Sequence, residues 1–203
     1  MMKKHIFTIA NLFTFLRIIL TPLFIYFLFA AGPYFEIFAL IIFVAASVTD
    51  AYDGYFARKN SSVSDLGAFL DPLADKILMS AAFLSFVVLG LFPLWMVNII
   101  LLHDFLVTSG RILLSSKDLS FTTRKTAKAK TGIQIGLICF VLVYQITQHW
   151  EIFEPIKQDI ASYMVHDYNI IYYLTLLVTI FTVWTGLEYL WVNRKELKYI
   201  FTG

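Results

Sequence analysis

The sequence predicts an all-α, polytopic membrane protein that crosses the bilayer six times and keeps both termini in the cytoplasm. Three observations lead there. Apolar residues make up 59% of the 203 residues and aromatics 17%, a balance outside that of soluble domains. Six apolar stretches approach the roughly 20 residues that a helix needs to cross about 30 Å of hydrocarbon. Lysine and arginine gather in alternate connections, which orients the spans.

The first span is placed at 12–30, after Lys3 and Lys4, and ends at the turn-forming Ala31-Gly32-Pro33. The second, 37–51, runs into a polar segment with Arg58 and Lys59, and the third, 73–91, closes on Gly90-Leu91-Phe92-Pro93. The fourth, 95–114, precedes a connection carrying Lys117, Arg124, Lys125, Lys128 and Lys130. The fifth, 132–148, leads into an acidic loop at 150–167 whose only lysine or arginine is Lys157; the sixth, 170–191, is followed by Arg194, Lys195 and Lys198. With alternating helices all of these flanking basic groups but Lys157 fall on one side, and the positive-inside bias makes that side cytoplasmic. A cleaved leader is disfavoured, because the first apolar region is long and five more follow. Cys139 is the single cysteine and is read as a packing residue. No internal repeat or low-complexity segment is visible, so residues 1–203 are expected to form one domain, and no nucleic acid partner is expected.

The chemistry is expected at the cytoplasmic ends of the second and third spans. The run Asp50-Ala51-Tyr52-Asp53-Gly54-Tyr55-Phe56-Ala57-Arg58 is followed by eight residues, then Gly67, Asp71 and Asp75. Helical residues three or four apart share a face, so Asp50 and Asp53 form one pair, Asp71 and Asp75 another. A short connection with Ser61, Ser62 and Ser64 makes the two helices antiparallel neighbours. Four carboxylates brought together cannot all stay ionised without a cation. All-oxygen ligation suits magnesium or manganese better than zinc and leaves room for substrate phosphates. Gly54 and Ala57 clear a strip of helix surface against which a base and sugar can lie, and Arg58 offers a forked donor to a phosphate oxygen. Asp65, outside the spacing, reads as a solvated loop residue.

At these residues the chain resembles the CDP-alcohol phosphatidyltransferase family, whose pattern is Asp-x2-Asp-Gly-x2-Ala-Arg-x8-Gly-x3-Asp-x3-Asp. Asp50, Asp53, Gly54, Ala57, Arg58, Gly67, Asp71 and Asp75 meet every fixed position. The resemblance implies six transmembrane helices, cytoplasmic termini and a homodimer; the positive-inside bias turns the active site to the cytoplasm, and six helices with basic cytoplasmic loops suit a bacterial inner membrane. It also implies that Asp50, Asp53 and Asp71 hold two divalent cations, Mg2+ or Mn2+, against the diphosphate of a CDP-linked lipid. Asp75 would be the general base and a further metal contact. Gly54, Arg58 and Ser64 match nucleotide-contacting positions, and Ala57 and Gly67 complete that surface. Asn11 and Thr14 belong to an Asn-x2-Thr-x2-Arg stretch that opens many members and extend the CDP-lipid contacts. Arg17, the last residue of that stretch, is equally well read as snorkelling to the headgroups.

The acceptor must be read elsewhere. Arg111, Lys128 and Lys130 are the expected acceptor-binding residues, since a phosphorylated acceptor needs cations beside the metals; Arg124 and Lys125 are read as orienting charges that meet anionic lipid. His103 to Arg111 and Ala127 to Gln134 resemble blocks of family members that join CDP-diacylglycerol to glycerol 3-phosphate. In the first block His103 stands for an arginine, and Asp104 keeps the acid class. Thr185-Gly186-Leu187-Glu188-Tyr189 resembles the last-helix block. The expected reaction is therefore transfer of a phosphatidyl group from CDP-diacylglycerol to glycerol 3-phosphate. The alternative within the class is another acceptor, such as inositol phosphate or serine. Outside it stands a divalent-metal transporter, which would place its carboxylates near the midplane, usually with repeat symmetry.

Overall fold

The computed structural model describes residues 9–30, 32, 34–60, 65–116 and 125–196, of which 9–14, 50–60, 65–75, 115–116 and 125 are described by backbone alone. The described residues form helices α1 (Ile9–Phe29), α2 (Phe35–Asn60), α3 (Asp65–Val88), α4 (Leu94–Ser116), α5 (Lys125–His149), the short α6 (Lys157–Ala161) and α7 (Ile170–Val192). A 3-10 turn at Glu151–Phe153 precedes α6, and a π turn at Ser162–His166 follows it. The six expected apolar stretches fall on α1 to α5 and α7. Three regions, Leu94–Leu114, Thr126–His149 and Lys157–Val192, are long and apolar enough to cross a membrane, and Phe15–Phe29, Phe35–Thr49 and Lys76–Val88 are shorter apolar helical segments.

Helix α7 packs inside out relative to a helix of a soluble bundle. On α7 the exposed face is Leu177, Ile180, Trp184, Leu187 and Trp191, whereas the buried face is Thr175, Thr179, Thr182, Thr185, Gly186 and Tyr189. Lipid offers no hydrophobic drive between helices, so small and hydroxylated residues line the contact and large apolar ones face outward. Thr175, Thr179 and Thr185 donate to the carbonyls of Ile171, Thr175 and Thr182 at 2.7, 2.8 and 2.8 Å, which satisfies their hydroxyls within the helix.

Helix α1 packs along α2 and α3, α4 along α7 and α3, and α5 along α2 and α7. Ala39, Phe43 and Ala46 bring one face of α2 into the core, where the rings of Phe24 and Phe43 lie 5.7 Å apart. Leu78, Met79, Ala82, Phe83 and Phe86 do the same for α3, and Phe92 closes on Phe83 and Phe86 at 5.7 and 5.1 Å. The α3–α4 turn is built by Gly90, at φ +73°, where Leu91 N–H donates to Phe86 O at 2.9 Å and Gly90 N–H to Val87 O at 3.0 Å. That pair of bonds caps orphan carbonyls around a left-handed glycine. Pro93 then starts α4, its carbonyl accepting from Met96 and Val97.

Three sequence expectations change. Helices α2 and α3 extend well beyond their apolar parts, so the aspartate segment is helical on both sides of 61–64. Asp65 opens α3 rather than sitting in a loop, a position where an acid complements the helix dipole. Arg17 does not snorkel: it is 1% exposed, buried on the helix that packs against both α2 and α3.

Candidate active site

Helix α2 carries Asp50, Asp53, Gly54, Ala57 and Arg58 in its last three turns, and α3 carries Gly67, Asp71 and Asp75 in its first three. Their backbone is continuous helix, so the aspartates keep spacings of three and four residues. Asn11 and Thr14 lie in the first turns of α1, which packs on both helices. The side chains of these residues, and all of Ser64, lie outside the described residues. Among the described residues no group of His, Cys, Asp and Glu could hold a metal. Four carboxylates on two helices joined through 61–64 are a donor set chemically suited to hard divalent cations.

Side-chain geometry begins one residue past Asp75 and is dominated by charge. Lys76 Nζ on α3 lies 3.5 Å from Asp104 Oδ2 on α4. Lys130 on α5 donates to Asp104 Oδ1, and His103 Nδ1 lies 3.1 Å from the same oxygen. Asp104 is 7% exposed and Lys130 is likewise buried. A single carboxylate thus ties together three helices inside the bundle. Removing one partner from such a buried pair typically costs about 3–5 kcal/mol, because the other charge is left uncompensated.

Two turns along α4 from His103, the Arg111 guanidinium sits over the Tyr189 ring on α7, 5.9 Å from its centroid. Lys76 and Lys130 share the Asp104 carboxylate, and Arg111 follows Asp104 by about two turns of α4, on the same face. Gly186 accommodates His103: a Cβ there would stand 2.5 Å from the ring Cδ2 and 2.8 Å from Nε2. Thr126 Oγ1 donates to Glu188 Oε2 at 2.5 Å, joining α5 to α7. Around this cluster, Arg111 Nε, His103 Nε2, Tyr189 Oη and both amide atoms of Gln134 are buried without a hydrogen-bond partner among the described residues. Buried polar atoms are normally paired, so this concentration marks a place built for polar contents.

Of the expected acceptor residues, the fold brings Arg111 and Lys130 into one buried cluster and leaves Lys128 on the exposed face of α5. Two residues along a helix is a rotation of about 200°, which separates the two lysines. Lys76, Asp104, Gln134 and Tyr189 had no role assigned from sequence. The usable signal for Lys76 and Asp104 was simply an ionisable group within an apolar span, which ordinarily marks a functional site with a partner.

The family described as CDP-alcohol phosphatidyltransferase matches residues 7–184. Over 205 aligned residues the chain is 34% identical to CDP-diacylglycerol--glycerol-3-phosphate 3-phosphatidyltransferase of Bacillus subtilis (strain 168), covering 95% of this chain and 98% of that protein. A protein of the same name from Cereibacter sphaeroides is 33% identical over 148 residues, 71% of this chain and 67% of that one. A probable cardiolipin synthase (CMP-forming) of Drosophila melanogaster is 35% identical over 113 residues, 55% of this chain and 34% of its own length. On the near-complete family match and this full-length similarity, the chain is a membrane protein that belongs to the CDP-alcohol phosphatidyltransferase family.

Proposed function

We propose that this enzyme transfers the phosphatidyl group of CDP-diacylglycerol to glycerol 3-phosphate, giving phosphatidylglycerophosphate and CMP. The observation that carries the choice of a phosphorylated acceptor is the meeting of Lys76 and Lys130 at the buried Asp104, with Arg111 two turns on along α4 over the Tyr189 ring. The near-full-length similarity to the Bacillus subtilis relative supports the same choice.

In this reading α1 to α5 and α7 are the six transmembrane helices of a single domain spanning 1–203. Both termini and the aspartate segment face the cytoplasm of a bacterial inner membrane, and the protein is a homodimer. Asp50, Asp53, Asp71 and Asp75 hold two divalent cations, Mg2+ or Mn2+. When bound, the cations neutralise the diphosphate and stabilise attacking and leaving oxygens, which is most of what phosphoryl transfer requires. Asn11, Thr14, Gly54, Ala57, Arg58, Ser64 and Gly67 seat the CDP-lipid. Arg111 and Lys130 hold the acceptor phosphate, and Lys128, on the exposed face, adds charge at the approach. Asp75 takes the proton from the acceptor hydroxyl, whose oxygen attacks the lipid-side phosphorus. The bond from that phosphorus to the bridging oxygen breaks, and CMP leaves with the electron pair.

The competing reading within the class is another acceptor alcohol, such as inositol phosphate or serine. The test is CMP release by the purified protein with CDP-diacylglycerol, Mg2+ and one acceptor at a time. Release is expected with glycerol 3-phosphate. Release with serine or inositol phosphate, and none with glycerol 3-phosphate, overturns the assignment.

A further inference from the structure

We propose that Asp104 is a positioning residue, which fixes the ammonium groups of Lys130 and Lys76 where they meet the acceptor's phosphate. The inference rests on the reading of a phosphorylated acceptor given above.

Asp104 pairs with two ammonium groups brought from different helices, Lys76 at 3.5 Å through Oδ2 and Lys130 through Oδ1. Two like charges held at one place would repel each other without the carboxylate, in a medium that screens charge poorly.

Geometry makes the same point. An ammonium has three N–H donors, and Asp104 takes one from Lys130, leaving others to turn toward a phosphate oxygen. Both carboxylate oxygens are engaged, by side chains from α3 and α5 and by His103 at 3.1 Å, so neither lysine head is left to find its own rotamer. A long side chain restrained in advance loses less freedom on binding. Lys76 follows Asp75 directly in α3, so the same carboxylate ties the acceptor's cations to the helix turn that carries the proposed base. Asp104 itself touches no reacting atom in this account; it acts through the lysines.

The test compares Michaelis constants in wild type, Asp104→Asn, Asp104→Glu, Lys130→Gln and the double variant Asp104→Asn/Lys130→Gln. Loss of a charge-assisted hydrogen bond corresponds to roughly 10- to 100-fold. Asp104→Asn is expected to raise KM for glycerol 3-phosphate by about that factor while KM for CDP-diacylglycerol stays within about 3-fold. Asp104→Glu, which keeps the carboxylate, should recover most of the loss. The double variant replaces the ion pair by two neutral amides, so it remains testable even where the lone Asp104→Asn, with its uncompensated lysine, fails to fold. Its KM for glycerol 3-phosphate should rise by clearly less than the product of the two single losses, because only Lys76 is then left for Asp104 to position. Additive losses in the double variant, or equal shifts in both Michaelis constants for Asp104→Asn, overturn the proposal. If wild type releases no CMP with glycerol 3-phosphate, the acceptor reading itself has failed, an outcome distinct from either.

Discussion

Replacing Gly186 by alanine tests the packing of α4 on α7 with a sign that depends on one neighbouring side chain. The added Cβ would lie 2.5 Å from His103 Cδ2 and 2.8 Å from Nε2, and ordinary contact begins near 3.4 Å, so the imidazole must retreat by about 0.9 Å. The ring is mostly buried and its Nδ1 is held beside Asp104. Overpacking of this kind costs about 1–3 kcal/mol. Alanine is in turn favoured over glycine inside a helix by about 1 kcal/mol. Gly186→Ala should therefore be neutral to destabilising by about 2 kcal/mol in the wild-type background. In a His103→Ala background the obstacle is gone, the propensity term remains, and the same substitution should stabilise by up to about 1 kcal/mol. The coupling of about 1–3 kcal/mol is readable in a double-mutant cycle, from denaturant titrations of the purified protein in mixed micelles. An effect of Gly186→Ala that is equal in both backgrounds refutes the contact.

Three further outcomes are expected. Asp75→Asn should lower CMP release by about 10²- to 10⁴-fold, the usual contribution of a general base, while binding of CDP-diacylglycerol measured separately is retained; turnover near wild type would remove Asp75 from that role. Arg111→Ala should raise KM for glycerol 3-phosphate by about 10- to 100-fold with little change for the donor, whereas Lys128→Ala, at an exposed position, should stay within about 3-fold; the reverse ranking contradicts the placement of the two. Chelation with EDTA should abolish CMP release and Mg2+ or Mn2+ should restore it, whereas zinc should not, because the proposed ligands are all oxygen; full activity after exhaustive chelation would contradict the metal reading.

Hydropathy located the helices well because the same property that inserts a segment into lipid also forces its backbone to bond internally. The expected 95–114 and 170–191 agree with α4 and α7 to within two residues at either end. It failed where helices leave the apolar layer. Residues 52–60 and 65–72 are polar enough to read as connection, yet α2 and α3 continue through them, and α5 begins at Lys125 rather than near Gly132. The 150–169 segment was legible only as an acidic loop; its short α6 and π turn carry no periodic signal. In the site, the fixed spacing of the aspartates was readable because it is local. Asp104 with Lys130 and Lys76 was not, since that contact joins residues 26 positions apart in one direction and spans α3 to α4 in the other. His103 and Asp104, adjacent in sequence, approach to 3.1 Å where α7 presents Gly186 to the ring. The contrast between Lys128 and Lys130 was available from helical rotation alone, given a helix that starts early enough to include both.

The central claim is that the aspartates of α2 and α3 grip two divalent cations against the CDP-lipid's diphosphate. Anomalous scattering from crystals grown with Mn2+ and CDP-diacylglycerol tests it most directly. The account predicts two manganese peaks between α2 and α3, each within bonding distance of carboxylate oxygens from Asp50, Asp53, Asp71 or Asp75 and of the diphosphate. Nucleotide density with no manganese at those carboxylates, or manganese bound elsewhere in the bundle, would contradict it.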